Sequence, residues 1–155
     1  MKLAEALSSR SEAIKKLESL RTRIRANALY QEGDKPQEDA SALLDEASEV
    51  LASLEDLTRR INVTNTAATL ESGQTLTAAI ARRDHLRQKA SLLSSAADAA
   101  SGNGLSGIRQ MRSELRVMSA LDVQRVRGDA DSVARELRQL DLQIQEANWR
   151  FDLVE

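Results

Sequence analysis

The chain of 155 residues has no cysteine, one proline, one histidine, six glycines and three aromatic residues. Without cysteine there is no disulfide frame, no thiolate nucleophile and no cysteine-ligated zinc or iron–sulfur centre, and a reducing cytoplasm is the natural compartment. The opening MKLAEALSSR meets charge and hydroxyls within a few residues and has no apolar core, so it does not read as a secretory signal. A membrane-spanning helix needs roughly 20 apolar residues. Uncharged stretches reach only ten residues, and one of them, Ile61 to Leu70, is half polar. A net charge of −2 gives no general attraction for a nucleic-acid backbone.

What is abundant is alanine (23) and leucine (22), with 30% charged residues, a helical and thinly packed composition. Leu3, Leu7, Ile14, Leu17 and Ile24 follow alternating steps of three and four, interrupted at Arg10 and Arg21, and predict a helix over about 2–28. Gly33 and Pro36 end it, and Asp39 is placed to cap the next helix. There Leu43, Ala47, Val50, Leu54, Leu57, Ile61 and Thr64 keep an unbroken four-three spacing, a coiled-coil seam. Gly73 and a capping Thr75 open a third helix that runs to about Ala100 with Leu76, Ile80, Leu86 and Leu93 among many alanines. The second connection, about 101–121, holds glycines at 102, 104 and 107, and its partly alternating end predicts a short strand around 114–121.

Adding 83 to the seam gives Val126, Ala130, Val133, Leu137, Leu140, Ile144 and Ala147, with five of seven residues identical. The same offset carries Asp39 onto Asp122 and Asn65 onto Asn148, while an offset of 73 relates the first helix to the third, Leu3 to Leu76 and Arg10 to Arg83 among others. The expectation is a single helical domain, 1–155, made of two hairpin repeats, about 1–73 and 74–155. Such hairpins form an antiparallel four-helix bundle, or an elongated coiled-coil assembly that completes its core with another chain.

Motifs that carry chemistry are weak. Gly102-Asn103-Gly104-Leu105-Ser106-Gly107 fits G-x-G-x-x-G, but helical residues precede it where dinucleotide binding needs a strand. His85, the only histidine, sits inside a predicted helix with no second ligand at metal-binding spacing. Asn62-Val63-Thr64 is a glycosylation sequon whose threonine falls on the seam. No catalytic, cofactor or metal residue is expected.

Charge is unevenly spread. Residues 31–56 hold nine acids against Lys35, and residues 105–128 hold five arginines against Glu114 and Asp122. Arg109, Arg112, Arg116, Arg125 and Arg127 could meet phosphate, but no aromatic residue interleaves with them to stack on bases, so nucleic acid is a disfavoured partner. Trp149 and Phe151 follow Asn148 directly, and they are read as a hydrophobic lock on the bundle end or as an anchor into a second subunit. Asn65 and Asn148 lie one position past the seam, where a polar group fixes helix register or caps the helix. Asn65, Asn148, Trp149, Phe151, Arg109, Arg112 and Arg116 are therefore the interface candidates.

Several stretches together resemble the small bacterial proteins called septicolysin-like: the opening MKLAEAL, Gln31 through Pro36 with Glu38-Asp39, Ile61-Asn62 through Asn65 and on to Leu70, Gly73, Thr75-Leu76-Thr77, Arg83-Asp84, and Gln145-Glu146 with Asn148-Trp149. The resemblance covers nearly the whole chain, and the glycine-rich insert at 102–107 departs from it. It implies a small helical bacterial protein, and its label implies a pore-forming lysin. The residues themselves carry neither an export signal nor a long hairpin of alternating residues. The leading expectation is thus a non-enzymatic, self-associating helical protein with a structural or partner-binding role. Membrane lysis and nucleic-acid binding through 109–127 are the alternatives.

Overall fold

A computed structural model describes residues 1–102 and 117–155, and over these the chain is all-α. Four helices follow in order, α1 Leu3–Asn27, α2 Ala40–Ala67, α3 Leu76–Ala100 and α4 Val123–Arg150. Among the described residues, pairing of extended backbone is confined to two isolated antiparallel bridges, Lys2 with Asp152 and Thr69 with Thr75.

Local chemistry sets the helix ends. Asp39 accepts hydrogen bonds from the backbone N–H groups of Ser41 (2.8 Å) and Ala42 (3.3 Å), and Asp122 accepts from Arg125 N–H at 3.0 Å. Both aspartates satisfy donors that the first helical turn leaves free. Before α1, the Glu5 carboxylate accepts from the Lys2 backbone N–H at 2.7 Å. Gly33, at φ 95°, turns the chain after α1 in the left-handed region that a side chain disfavours.

The strand expected around 114–121 is not formed over 117–121, and residues 114–116 lie outside the described residues. The Ser119 hydroxyl donates to the Leu121 carbonyl (2.7 Å) and accepts from the Leu121 N–H (3.2 Å). That local turn takes the backbone groups a strand partner would need.

The chain divides into two compact units, Met1–Leu76 with Gln145–Glu155, and Thr77–Ile144. In the first, α1 and α2 run antiparallel, since Lys16 pairs with Glu46 (2.8 Å) and Arg23, further along α1, pairs with Glu38, further back in the chain. Two of the nine acids of residues 31–56, Glu38 and Glu46, thus find cations on α1. Leu20, Leu43, Ala47 and Val50 form the core between these helices, with Ala13, Leu17 and Ile24 packed against it. The seam read on α2 is the inward face: Leu43, Ala47, Val50, Ile61 and Thr64 are buried, and Leu54 and Leu57 half-buried.

On α1 the register differs from the one read in the sequence. The inward stripe is Leu3, Ala6, Arg10, Ala13, Leu17, Leu20, Ile24 and Asn27, while Ile14 is 51% exposed. Ile14 lies about 100° around the helix from Ala13. The stripe keeps unbroken three-four steps with alanine at 6 and 13 and a half-buried arginine at 10.

In the second unit, Arg127 near the start of α4 donates to Ser101 just past the end of α3 (3.1 Å), and Arg87 of α3 pairs with Asp141 towards the end of α4 (3.3 Å), so the two helices are antiparallel. Arg82 adds an ion pair to Glu136 at 2.7 Å. Ala79, Leu86 and Ala97 of α3 and Val133, Leu140 and Ile144 of α4 are buried. With alanine so frequent on α3, each inward position removes little apolar surface from water.

Candidate functional site

Three features stand out from the helix packing: a polar knot beside the first connection, a tail that closes on the start of the chain, and apolar hollows on the surface.

The knot joins Arg23, Asn27 and Glu38. Arg23 forks onto the Glu38 carboxylate, with Nε donating to Oε2 at 2.9 Å and Nη2 donating to Oε1. Asn27, buried at the end of α1, donates from Nδ2 to the Arg23 carbonyl (2.9 Å) and accepts the Glu38 backbone N–H at Oδ1 (3.0 Å). One buried amide thus ties the last turn of α1 to the Glu38 N–H, a donor in the connection with no helical partner. The hydrogen bonds from Arg23 hold the Glu38 carboxyl below the usual carboxylate range, and the hydrogen bond from Lys16, with its charge, does the same for Glu46.

A pKa lowered on folding contributes stability that is fully present above the unfolded value, about 4.3 for glutamate, and is lost as pH falls through the folded value. The urea midpoint should therefore decline on acidification below roughly pH 4.5, and a Glu38→Gln, Glu46→Gln variant should decline less steeply over the same window. Parallel profiles for the two proteins would assign the acid sensitivity to other carboxylates.

The tail is tied on both sides. Leu3 N–H donates to the Phe151 carbonyl (3.0 Å) and Leu153 N–H to the Met1 carbonyl (2.9 Å), while Lys2 Nζ meets Asp152 at 3.0 Å. On the α2 side, Arg60 Nε donates to the Val154 carbonyl (2.9 Å) and Val154 N–H to Thr64 Oγ1 (3.0 Å). The buried Thr64 hydroxyl itself donates to the Arg60 carbonyl at 2.8 Å. Just past the C-terminal end of α2, Leu70 N–H donates to the Gln74 carbonyl and Leu76 N–H to the Ala68 carbonyl, each at 2.9 Å.

The interface candidates fall as follows. Trp149 is 64% exposed, and Phe151 is half-buried beneath the Arg150 guanidinium, 4.9 Å from its ring centre. The side chain that closes over this end is Leu153, which is buried. Asn65 and Asn148 are half-buried, and neither makes a side-chain hydrogen bond among the described residues; the buried polar position on α2 is Thr64. Arg109, Arg112 and Arg116 lie outside the described residues, as do Gly104 and Gly107 of the glycine motif.

Arg23, Asn27, Glu38, Arg60 and Leu153 were not singled out by the sequence. Asn27 belongs to the stripe that the structure turns inward on α1, not to the one read in the sequence, and its partner is set by the turn that brings residue 38 back.

Hollows open on the surface among the described residues. One, of about 510 Å³, lies in the Thr77–Ile144 unit between the end of α3 (Ala96, Ala99, Ala100) and the segment before α4 (Val117, Met118, Leu121). Another is a shallow groove along α2 past Ser48, Leu51, Glu55, Thr58 and Asn62. Among the described residues no three metal-binding side chains converge, and His85 is exposed without a hydrogen bond or ion pair. No described helix is long and apolar enough to cross a membrane.

The crystal structure of a functionally unknown conserved protein from Corynebacterium diphtheriae is similar to this chain over 99% of both chains, at 38% identity and a TM-score of 0.91. No curated protein matches it. The septicolysin-like resemblance is corrected by these comparisons, which lead to a family and a structure of unknown function. The residues that carried it are largely helix formers, caps and turn residues, and these specify helical hairpins without specifying lysis. Residues 10–153 match the family of unknown function DUF6847, and the chain belongs to that family.

Proposed function

We propose that this chain is a non-enzymatic helical protein that acts by associating with other polypeptides, further copies of itself first among them. The observation that carries the reading is a set of large apolar side chains left in solvent outside the helix seams. Leu29 and Tyr30 stand in the first connection, Leu44 and Leu51 lie one heptad apart on α2, and Met118 and Leu142 stand before and on α4. Single exposed apolar residues are ordinary, whereas clusters rimmed by polar groups mark contact surfaces. The polar networks that the fold builds join segment to segment, Arg23 to Glu38 and Arg60 to the tail. The cysteine-free composition fits a reducing, cytoplasmic setting.

The same reading treats the chain as one domain of two hairpin repeats. In its support, the offsets of 73 and 83 that align the sequence halves also relate hydrogen bonds: Leu3 to Phe151 with Leu76 to Ala68, and Leu153 to Met1 with Leu70 to Gln74. A duplicated unit that keeps equivalent backbone pairs descends naturally from two copies that once met as separate chains.

Sedimentation velocity with light scattering, across a wide range of concentration, tests the association. A mass that rises from one chain to a defined multiple is expected. A single-chain mass throughout removes self-association.

A further inference from the structure

We propose that two copies of this chain associate by exchanging hairpins: the turn at residues 71–73 opens, and the α1–α2 hairpin of each copy closes on the α3–α4 hairpin of the other. This rests on the self-association and the two-hairpin reading proposed above, and it names the contact that joins the copies.

The observation behind it is one closure made twice. Past α2, Leu70 N–H donates to the Gln74 carbonyl and Leu76 N–H to the Ala68 carbonyl, each at 2.9 Å, and Thr69 forms an antiparallel bridge with Thr75. Past α4, Leu153 N–H donates to the Met1 carbonyl (2.9 Å), Leu3 N–H donates to the Phe151 carbonyl (3.0 Å), and Lys2 forms an antiparallel bridge with Asp152. An offset of 83 carries residues 68–70 onto 151–153, and an offset of 73 carries residues 1–3 onto 74–76, so each bond and each bridge of one set falls on its counterpart in the other. The first set is joined by the short turn Glu71-Ser72-Gly73. The second joins residues 150 positions apart and holds without a turn.

Side chains add to both closures. Arg150 Nη2 donates to the Thr69 carbonyl (3.3 Å) and Arg150 Nη1 lies 3.7 Å from the Glu71 carboxylate, while Arg60 and Thr64 of α2 hold the backbone of Val154. All of these groups belong to the unit Met1–Leu76 with Gln145–Glu155, and each contact runs from the α1–α2 hairpin to the α3–α4 hairpin. Hairpins from two different copies can therefore make the same bonds. The hydrogen bond confined to the turn, from Gly73 N–H to the Leu70 carbonyl at 2.9 Å, is the one given up on opening.

The turn is suited to opening. Glu71, Ser72 and Gly73 are exposed, and Gly73 holds φ at 82° with nothing within 4 Å of the place a Cβ would occupy. The closed turn thus depends on glycine for its backbone conformation alone, and the extended hinge has no such need. Exchange remakes the closure bonds, so the turn and the protein concentration set the balance between the two forms; a short hinge invites exchange and a longer one discourages it.

The chain has no cysteine, so an introduced pair reports which segments meet. The variant Lys2→Cys, Asp152→Cys places its thiols at a bridge flanked by both hydrogen bonds, where the Cα atoms of an antiparallel pair lie about 4.5 Å apart and a disulfide fits. Oxidation of the two-chain fraction should give a covalent dimer on a denaturing gel without reductant, and oxidation of the one-chain fraction a single chain. Thr69→Cys, Thr75→Cys repeats the readout at the other closure if the first pair frays the ends. Gly73→Val strains the closed turn alone and should tighten dimerisation roughly ten- to a hundredfold, with unchanged helical circular dichroism. A Gly-Ser insertion after Ser72 should return the chain to the one-chain form.

Wild-type protein of single-chain mass at every concentration overturns the exchange together with the self-association proposed above. A two-chain fraction whose disulfides close within single chains overturns the exchange alone, and the copies then meet through their exposed faces. Association that neither Gly73→Val nor the insertion alters also overturns the exchange.

Discussion

Leu20→Ala destabilises the protein by about 2–5 kcal/mol in urea denaturation, while Leu44→Ala changes it by less than about 0.5 kcal/mol. Both substitutions remove the same atoms from a leucine on a helix. Leu20 is buried at the centre of the α1–α2 core among Leu43, Ala47 and Val50, whereas Leu44 points into solvent one residue away from Leu43. Truncation at 20 costs the transfer of the lost methyl groups and leaves a cavity that its neighbours fill only partly. Two of the positions packed around it, Ala13 and Ala47, are already small and have little side chain to move into the gap. For a chain of this length each kcal/mol corresponds to roughly 2–4 °C in melting temperature, so the first variant should melt about 5–15 °C lower and the second close to wild type. Comparable losses at 20 and 44 would mean that α1 does not pack on α2 through this stripe.

Removing residues 152–155 should cost about 4–6 kcal/mol, whereas Trp149→Ala should cost less than about 0.5 kcal/mol. The deletion takes away the buried Leu153, worth about 1.5–3 kcal/mol by area. It also breaks the hydrogen bonds from Leu153 to Met1, from Arg60 to Val154 and from Val154 to Thr64, each worth about 1 kcal/mol net. The Thr64 hydroxyl keeps its bond to the Arg60 carbonyl, which limits the loss. Trp149, although the largest side chain in the chain, is mostly in water and contributes little to holding the fold. Circular dichroism is the proper readout, because Trp149 is the only tryptophan and its replacement removes the fluorescence signal. A tail deletion that melts like wild type would show that the chain ends are held only weakly.

The two pairs of variants trace where sequence reading succeeds. The α2 seam from Leu43 to Thr64 was legible because seven positions in unbroken four-three spacing admit a single helical face. Asp39 and Asp122 were legible as caps because a side chain reaches its own helix's first turn whatever the rest of the fold does. On α1, by contrast, Leu7 and Ile14 competed with Ala6 and Ala13 for the inward face. Large apolar residues are the stronger signal in a sequence, yet the helix turned its alanines inward and left Ile14 exposed. Size alone misleads there, because what decides is the fit of the whole stripe against α2. Residues 117–121 show the opposite failure, since partial alternation read as a strand is answered there by one serine hydroxyl that closes a local turn.

The candidate site was less legible still. Among the aromatic and asparagine candidates, only Phe151 lies against the tail pairing, through its backbone carbonyl and not through its ring. The aromatic pair drew attention to the right end of the chain, but Leu153 does the closing.

Sequence alone determined the helices, their boundaries and caps, and the inward face of α2, because hydrogen bonding within a helix and the period of its apolar residues are properties of neighbouring residues. Tertiary structure decided the rotation of α1, the joining of Asn27 to Glu38, and the meeting of Lys2 with Asp152 and of Arg60 with Val154. Each of these depends on a partner that is distant along the chain, and that partner comes within reach only after whole helices have packed.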